Sequence, residues 1–358
     1  MDQHEHIEND EKYHGLTVNS GVKQQPVVNP YLKPRKRRPL PTSGELVEGI
    51  LKGDITTLSR AVTLVESLSA DHQTIAQEVI EKCLPYSGNS RRIGITGVPG
   101  AGKSTSIDVF GLHVLKDGGK LAVLAIDPSS ERTKGSILGD KTRMERLAVH
   151  PSAFIRPSPS AGSLGGVARK TRETIVLCEA AGYNNIFVET VGVGQSETAV
   201  HSMVDFFLLI QLAGTGDELQ GIKRGIMEMA DGIVINKADG DNVDRARLAQ
   251  AQFRSLFPPT QSGWFPEVLC YSGYYGLGIE EVWEMIDRYF KFVKENGYFD
   301  RKRQEQARYW MFETIDEQLR RNFYTNPEVK EARVLNNQQS SFTAARDVLD
   351  FYFNRENK

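Results

Sequence analysis

Apolar residues in the central part of the chain occur in short continuous runs separated by segments with helical spacing. Six of these runs are predicted to be strands: Ile93–Thr96, Leu121–Ile126, Asn185–Glu189, Phe206–Leu212, Gly232–Asn236 and Val268–Tyr271. Runs that are apolar at nearly every position are typical of parallel strands with both faces covered. Residues 91–290 are therefore predicted to form an α/β domain with a mainly parallel central sheet flanked by helices. A ligand would lie at the carboxyl ends of the strands.

Helical spacing dominates on both sides of this domain. Residues 43–90 show it from Leu46 onward and are predicted to form a helical N-terminal region. Residues 291–358 are predicted to form a helical C-terminal extension, which starts near a break around Gly297. An apolar stripe in the extension would pack against the same chain or against a second copy. The stripe contains Trp310, Met311, Ile315, Leu319 and Phe323.

The first 42 residues lack hydrophobic periodicity and are predicted to be a disordered arm. Three histidines in the arm, His4, His6 and His14, have no accompanying cysteine or spaced ligand set, which disfavours a metal site there. The basic run Lys33–Arg38 is interpreted as a solvated linker stiffened by proline, rather than as a surface for an anionic partner.

Composition and charge narrow the class of protein. The 358 residues carry a formal net charge of -2, so no overall basic field indicates nucleic-acid binding. No apolar run approaches the ~18 residues that a membrane span needs. Acidic residues near the N-terminus oppose a secretory or mitochondrial targeting signal, so the protein is expected in the cytoplasm. Cys83, Cys178 and Cys270 are predicted to be reduced core thiols.

A glycine-rich segment follows the first predicted strand and precedes a predicted helix, Thr105–Lys116. Its sequence, Gly97-Val-Pro-Gly-Ala-Gly-Lys103-Ser104, has the G-x-x-x-x-G-K-S pattern of a P-loop, which predicts a P-loop NTPase. In such a loop, backbone N–H groups bind phosphate oxygens, the lysine reaches the β- and γ-phosphates and the serine binds Mg²⁺. The predicted nucleotide-binding residues here are Gly97, Val98, Pro99, Gly100, Ala101, Gly102, Lys103, Ser104 and Thr105.

A second pattern, N-K-x-D, ends the strand at Gly232–Asn236 and predicts that the base is guanine. The Asp239 carboxylate would accept the N1–H and N2–H donors of guanine, a pair that adenine lacks. Asn236 is predicted to contact the O6/N7 edge of the base, and Lys237 to lie along its plane. Ser272 and Gly273 follow the last predicted strand and are predicted to contact the base through backbone N–H groups.

Acidic residues at other strand ends are predicted to bind Mg²⁺ and to support hydrolysis. Glu189-Thr-Val-Gly192 stands where ordinary GTPases have D-x-x-G, with the acid near the metal and the glycine N–H at the γ-phosphate. Gln195 is displaced from the position that orients water in Ras-like enzymes, which predicts slow or partner-dependent hydrolysis. The predicted catalytic residues are Lys103, Asp127, Asp140, Glu189 and Gly192, and the predicted Mg²⁺ ligands are Ser104, Asp127, Asp140 and Glu189.

Four of these predictions have alternatives. Asp127 either holds Mg²⁺ through water or caps a proline-marked turn, and Glu189 either supports Mg²⁺ or only caps its strand. Asp140 either approaches the Mg²⁺ or the attacking water, or caps a helix. Gly214–Lys223, with several glycines and two acids, is either a loop that changes shape with the nucleotide or a plain surface loop.

Together these patterns, in this order, resemble the MeaB/ArgK family of GTPases associated with methylmalonyl-CoA mutase and related adenosylcobalamin-dependent mutases. The matching segments are Gly97–Ser104, Asp127–Ser130, Leu138–Met144, Ser163–Gly166, Glu189–Glu197 and Asn236–Asp239. The resemblance runs from about Ser43 to about Arg321 and implies a SIMIBI-class P-loop fold. The chain departs from the family at Lys134, where glycine is usual, and at Ala161, where a serine is usual.

The resemblance implies a G-protein chaperone that gates adenosylcobalamin loading onto an acyl-CoA mutase and protects or reactivates that enzyme. It implies Mg²⁺ with GTP or GDP as the cofactor, and adenosylcobalamin only through the mutase partner. It also implies a homodimer joined through C-terminal helices, and Gly214–Lys223 as a switch that links the mutase to hydrolysis. A metal-insertion (nickel-type) GTPase, a P-loop kinase or ATPase linked to amino-acid transport and a non-hydrolysing binding module are the alternatives.

Overall fold

The six apolar runs form six parallel strands of a single sheet in the computed structural model. The structure describes residues 40–116, 118–127, 144–159, 164–190, 196–213, 224–254, 257–326, 329 and 340–353. The strands are β1 (Arg91–Gly97), β2 (Leu121–Asp127), β3 (Ala153–Pro159), β4 (Asn185–Thr190), β5 (Phe206–Leu212), β6 (Gly232–Asn236) and β7 (Glu267–Cys270). In space they are ordered β3-β2-β4-β1-β5-β6-β7, and every pairing is parallel. The predicted α/β fold is therefore confirmed.

One strand, β3, was not predicted. Its sequence, Ala-Phe-Ile-Arg-Pro-Ser-Pro, contains two prolines, which normally argue against a strand. It lies at the edge of the sheet and pairs with β2. Because an edge strand has one side without a ladder, prolines are tolerated there.

Helices connect the strands and flank the sheet. Those before β5 are α1 (Ser43–Leu51), α2 (Ile55–Glu66), α3 (Ala70–Cys83), α4 (Lys103–Lys116), α5 (Glu145–Ala148), α6 (Leu164–Ala180) and α7 (Ser196–His201). Those after it are α8 (Arg224–Glu228), α9 (Val243–Arg254), α10 (Ile279–Glu295), α11 (Tyr298–Thr325) and α12 (Ser341–Phe353). The break predicted near Gly297 separates α10 from α11, and this glycine has a left-handed φ of 71°.

Both faces of the sheet are covered, which explains why the strands are apolar at nearly every position. Every residue of β4 and β6 is buried. One face packs against α1, α2, α3, α6 and α7, and the other against α4 and α10. The predicted N-terminal helices are therefore part of the core of the unit that runs from Thr42 onward.

The cysteines are free thiols, as predicted. Cys83 and Cys178 are buried, whereas Cys270 is half-buried. Burial raises the pKa of Cys83 to about 11, so this thiol stays protonated at neutral pH. Within the described ranges, the structure contains no helix with the length and hydrophobicity that a membrane span needs.

A buried ion pair fixes the first half of α11 to the sheet. Nε and Nη2 of Arg303 donate to the two carboxylate oxygens of Asp205, each at 2.7 Å. Asp205 is 2% exposed and also accepts a hydrogen bond from the backbone N–H of Arg92. Arg303 donates further to the carbonyls of Gly88 and Ser90. The start of α11 is thereby bound to β1 and to the residues that precede β5.

The apolar stripe on α11 divides into two parts. Trp310 is buried, and its Nε1 donates to the carbonyl of Ser202 at 3.1 Å. Met311, Ile315 and Leu319 are each 44–55% exposed on the second half of the helix. The stripe therefore packs on its own chain at one end and leaves an apolar surface at the other, and dimerisation through that surface stays a prediction.

We expect acidification from pH 7 to pH 5 to destabilise the fold through His201. Burial, with a smaller contribution from Lys302, lowers the pKa of His201 to about 3. The unfolded chain binds a proton at His201 near pH 6.5, so the penalty is absent above that pH and grows as the pH falls towards 3. At pH 5 it amounts to about 2 kcal/mol. Urea unfolding of wild type and His201→Gln at both pH values checks this, and an equal pH dependence in the two proteins would contradict it.

Candidate nucleotide-binding site

The P-loop curves around two glycines with left-handed backbone angles. Gly100 has a φ of 81° and Gly102 a φ of 87°, values that side chains other than glycine rarely adopt. A Cβ on Gly97 would lie 2.3 Å from the carbonyl oxygen of Ile210 in β5, so this position requires glycine because of close backbone approach. The glycine spacing of the pattern thus follows from the local geometry.

Lys103 and Ser104 begin α4 directly after this loop. The ammonium of Lys103 lies back over the loop and donates to the carbonyls of Gly97 at 2.8 Å and Val98 at 3.3 Å. A cation held above backbone N–H groups at a helix N-terminus is suited to bind phosphate oxygens. Phosphate binding by Lys103 stays a prediction.

Ser104 and Glu189 meet at the carboxyl edge of the sheet. The Ser104 hydroxyl donates to Oε1 of Glu189 at 3.1 Å, and Glu189 is 8% exposed. The two residues meet because β1 and β4 are adjacent, with Ile95 paired in register with Glu189. A hydroxyl and a carboxylate are hard oxygen donors of the kind that Mg²⁺ prefers, and the ion takes its remaining ligands from phosphates and water. The residues present therefore fit a nucleotide-bound Mg²⁺.

The other predicted acidic and hydrolytic residues are described only in part. Asp127 ends β2, next to β4, so its backbone is at the same edge as Glu189. The Asp127 side chain lies outside the described part of the chain, as do Asp140 and Gly192. Their roles stay predictions. The predicted switch Gly214–Lys223 and the departures Lys134 and Ala161 also lie outside the described residues.

Asn236 connects three loops. Its Nδ2 donates to the carbonyl of Ala101 in the P-loop at 2.7 Å. Its Oδ1 accepts from the backbone N–H groups of Lys237 at 2.7 Å and Gly273 at 3.0 Å. Because Asn236 is 3% exposed and both ends of its amide are engaged, the structure makes it a positioning residue, and direct contact with the base stays a prediction.

The base-reading segment is held in an unusual backbone conformation. Lys237 has a φ of 59° and is the one residue other than glycine with a positive φ among those the structure describes. Such strain persists only where the surroundings hold it, and it is often found at functional sites. The Asp239 carboxylate accepts from the Ser272 hydroxyl, which in turn accepts from the backbone N–H of Tyr275. Asp239 is thus oriented by the loop after β7.

The backbone N–H groups of Ser272 and Gly273, which are predicted to contact the base, already donate hydrogen bonds within the protein. The Ser272 backbone N–H donates to the carbonyl of Leu277 at 2.9 Å, and that of Gly273 donates to Asn236. Both donors are therefore used to hold the loop. A contact of either one with the base stays a prediction.

Two further residues join the P-loop helix to the base loop and were missed in the sequence. The Ser106 hydroxyl donates to the carbonyl of Gly102 at 2.7 Å and contacts the hydroxyl of Tyr271 at 2.5 Å. Tyr271 is 1% exposed and stacks on Phe110, and burial raises its pKa. Nothing in the local sequence pairs two residues 165 positions apart.

Gly102→Ala is expected to weaken nucleotide binding at least tenfold. A left-handed φ costs about 1–2 kcal/mol with a side chain, and a Cβ at Gly102 would lie 2.5 Å from Nδ2 of Asn236. Gly100→Ala is the matched control, because its φ is similar but no atom lies within 4 Å of the added Cβ. Calorimetric titration with GDP measures both. Equal losses in the two variants would show that the contact with Asn236 is unimportant.

The chain matches one family model and several known proteins over most of its length. The family described as "Methylmalonyl Co-A mutase-associated GTPase MeaB" matches residues 58–328. "Probable GTPase Rv1496" of Mycobacterium tuberculosis is 50% identical over 291 residues, which cover 80% of this chain and 87% of the relative. "Methylmalonic aciduria type A homolog, mitochondrial" of Mus musculus is 44% identical over 299 residues, covering 80% of this chain and 72% of the relative.

A solved structure has the same fold. The crystal structure titled "LAO/AO transport system kinase" matches with a TM-score of 0.70 and 37% sequence identity. The match covers 87% of this chain and 97% of that one.

Proposed function

Because the chain belongs to the MeaB family of methylmalonyl Co-A mutase-associated GTPases, we propose that it is a GTP-hydrolysing chaperone of an adenosylcobalamin-dependent acyl-CoA mutase. In this proposal it gates loading of the cobalamin cofactor onto the mutase and protects or reactivates that enzyme. Methylmalonyl-CoA mutase is the proposed client, because the family description names it. The cytoplasmic location remains a prediction.

The observation that carries the nucleotide part of the proposal is the Asn236–Ala101 hydrogen bond, 2.7 Å long. It joins the base-reading segment to the phosphate-binding loop across 135 residues of sequence. Asp239 then faces the base while Lys103 and Ser104 face the phosphates of one bound GTP. A nucleotide that satisfies both ends of this site must carry guanine.

Hydrolysis in this site would depend on charge neutralisation more than on covalent chemistry by the protein. Lys103 would stabilise negative charge on the β- and γ-phosphate oxygens as water attacks the γ-phosphorus and the bond to the leaving GDP oxygen breaks. Ser104 and Glu189 would hold Mg²⁺, and Asp127 and Asp140 are the other proposed ligands. When bound there, the ion would supply positive charge that offsets the negative charge of the phosphates.

Phosphate release from GTP and from ATP, with and without a methylmalonyl-CoA mutase, tests the proposal. We expect release from GTP only, and a faster rate when the mutase is present. Lys103→Ala should abolish it, whereas Lys116→Ala, at the exposed end of the same helix, should retain it. ATP hydrolysis at the GTP rate would refute guanine specificity. A GTPase rate that no such mutase alters would refute the chaperone role.

The alternative functions are separable in the same assay. The solved relative is titled a transport system kinase, and a kinase would transfer the terminal phosphate to an acceptor instead of releasing it. Among the described residues, no group of three or more His, Cys, Asp and Glu side chains could hold a transported metal ion. Guanine-specific phosphate release without an acceptor therefore favours the GTPase chaperone over the kinase.

A further inference from the structure

Two buried polar atoms near the carboxyl edge of the sheet have no hydrogen-bond partner among the described residues. They are Oε1 of Glu197, in α7, and Nε2 of Gln211, in β5. Glu197 is 0% exposed and Gln211 is 1% exposed. The other oxygen of Glu197 accepts from the Ser196 hydroxyl at 3.2 Å. Since a buried polar group without a partner is costly, both atoms call for a partner in some state of the protein.

The packing places both side chains in the same layer, between α7 and the sheet. A Cβ on Gly94 of β1 would meet Phe207 of β5 at 2.7 Å and Val200 of α7 at 3.0 Å, so these two residues converge over β1. Gln211 lies four residues after Phe207 and so faces the same side of the sheet. Glu197 lies three residues before Val200 and so shares its helix face.

Both residues also lie towards the same end of this layer. α7 begins just after the carboxyl end of β4, so Glu197 is nearer that edge than Val200. Gln211 is one residue from the end of β5. Thr96 and Thr190 lie on the same face at this height and are joined by a hydrogen bond of 2.8 Å. The apolar layer thus ends in a buried polar patch at the carboxyl edge.

The two atoms are chemically complementary, because one is an acceptor and the other a donor. Glu197 follows the Glu189-Thr-Val-Gly192 sequence by five residues, and Gln211 precedes Gly214–Lys223 by three. Glu197 therefore lies next to the segment predicted to contact Mg²⁺ and the γ-phosphate. Gln211 lies next to the segment for which a change of shape with the nucleotide is one of the two alternatives.

We propose that Glu197 and Gln211 are positioning residues, and that Nε2 of Gln211 donates a hydrogen bond to Oε1 of Glu197 when GTP is bound. This bond would tie α7 to the end of β5 and so couple the γ-phosphate side of the site to the segment after β5. The inference rests on the proposed GTPase function. Ala101 of the P-loop packs on the opposite face of the sheet from Phe207 and Val200, so in this proposal neither side chain contacts the nucleotide directly.

Exchanging the hydrogen-bond donor and acceptor between positions 197 and 211 in the full-length protein tests the inference. Gln211→Glu sets two carboxylates against each other and is expected to lower kcat for GTP at least tenfold, with KM changed less than twofold. Glu197→Gln keeps an acceptor oxygen and is expected to change kcat less than threefold. The double variant restores a donor and an acceptor and should recover at least half of the wild-type kcat. Gln211→Met, which removes the donor without adding charge, should lower kcat about fivefold.

A matched control separates this pair from a general effect of buried charge. Gln306→Glu introduces a carboxylate at another buried glutamine, in α11, and Glu197→Gln should not rescue it. Failure of Glu197→Gln to rescue Gln211→Glu, in variants that unfold at the wild-type temperature, would overturn the inference. Rescue of Gln306→Glu by the same change would overturn it as well.

Hydrogen exchange distinguishes failure of the pair from failure of the proposed function. In the wild-type protein, the backbone amides of 196–201 and 206–212 should exchange at least threefold more slowly with a non-hydrolysable GTP analogue than with GDP. In Gln211→Met they should exchange at the same rate with either nucleotide. If wild type responds and Gln211→Met responds equally, the pair is wrong and the GTPase function stands. If GTP does not bind to wild type at all, both proposals are wrong.

Discussion

Asp239→Ala is expected to lower the affinity for GTP by about 100- to 10,000-fold. The carboxylate offers two charge-assisted hydrogen bonds to the N1–H and N2–H donors of guanine, each worth about 1.5–3 kcal/mol. Each 1.4 kcal/mol is a factor of ten in affinity. Asp239 is already oriented for this role by the Ser272 hydroxyl, so little ordering is left for the bound state.

Calorimetric titration with GTP and GDP measures the loss, and Asp241→Ala, an exposed acid two residues away, is the control. Asp239→Asn gives a sharper test. Xanthine carries a carbonyl in place of the guanine amino group, so an asparagine amide can donate to it. We expect Asp239→Asn to prefer XTP over GTP. An Asp239→Ala protein with unchanged GTP affinity would refute the base-reading role.

Arg303→Met is expected to cost about 3–5 kcal/mol in the free energy of unfolding, because it leaves the buried Asp205 carboxylate without its cation. The pair is more than a surface contact, since the side chains of Arg303 and Asp205 are 14% and 2% exposed. Asp205 retains the hydrogen bond from the backbone N–H of Arg92, which offsets only part of the lost charge interaction.

Urea unfolding measures this loss, with Arg288→Met as the control. Arg288 also forms a two-pronged ion pair, with Glu267, but its side chain is 50% exposed. Exposed ion pairs contribute about 0–1 kcal/mol to stability, so Arg288→Met should change the free energy of unfolding by about 1 kcal/mol at most. If the two variants were equally stable, the Arg303–Asp205 ion pair that joins α11 to the sheet would be energetically unimportant.

Sequence patterns predicted the strands where burial is two-sided. The runs at Phe206–Leu212 and Gly232–Asn236 match β5 and β6 residue for residue, because a strand covered on both faces is apolar at nearly every position. β3 did not show this pattern. As an edge strand it accommodates Pro157 and Pro159, which the local rules associate with turns.

Each motif of the site is formed by residues close together in the sequence. The hydrogen bonds that hold the motifs against one another join residues far apart in the sequence. The P-loop is one contiguous segment, so its identity and geometry follow from its own glycines. The links from Asn236 to Ala101 and from Ser106 to Tyr271 join residues 135 and 165 positions apart. No periodicity or spacing predicts such pairs, because they depend on which strands become neighbours.

The sequence by itself determined the class of ligand, the order of the nucleotide-binding segments and most of the strands, since each depends on residues close together along the chain. Only the tertiary structure decided that Asn236 supports the P-loop, that Arg303 binds Asp205 and that Glu197 shares a layer with Gln211. The strand order β4-β1-β5-β6 brings the segments that carry these contacts close together. Their contacts arise from packing between distant segments, for which neighbours in sequence carry no signal.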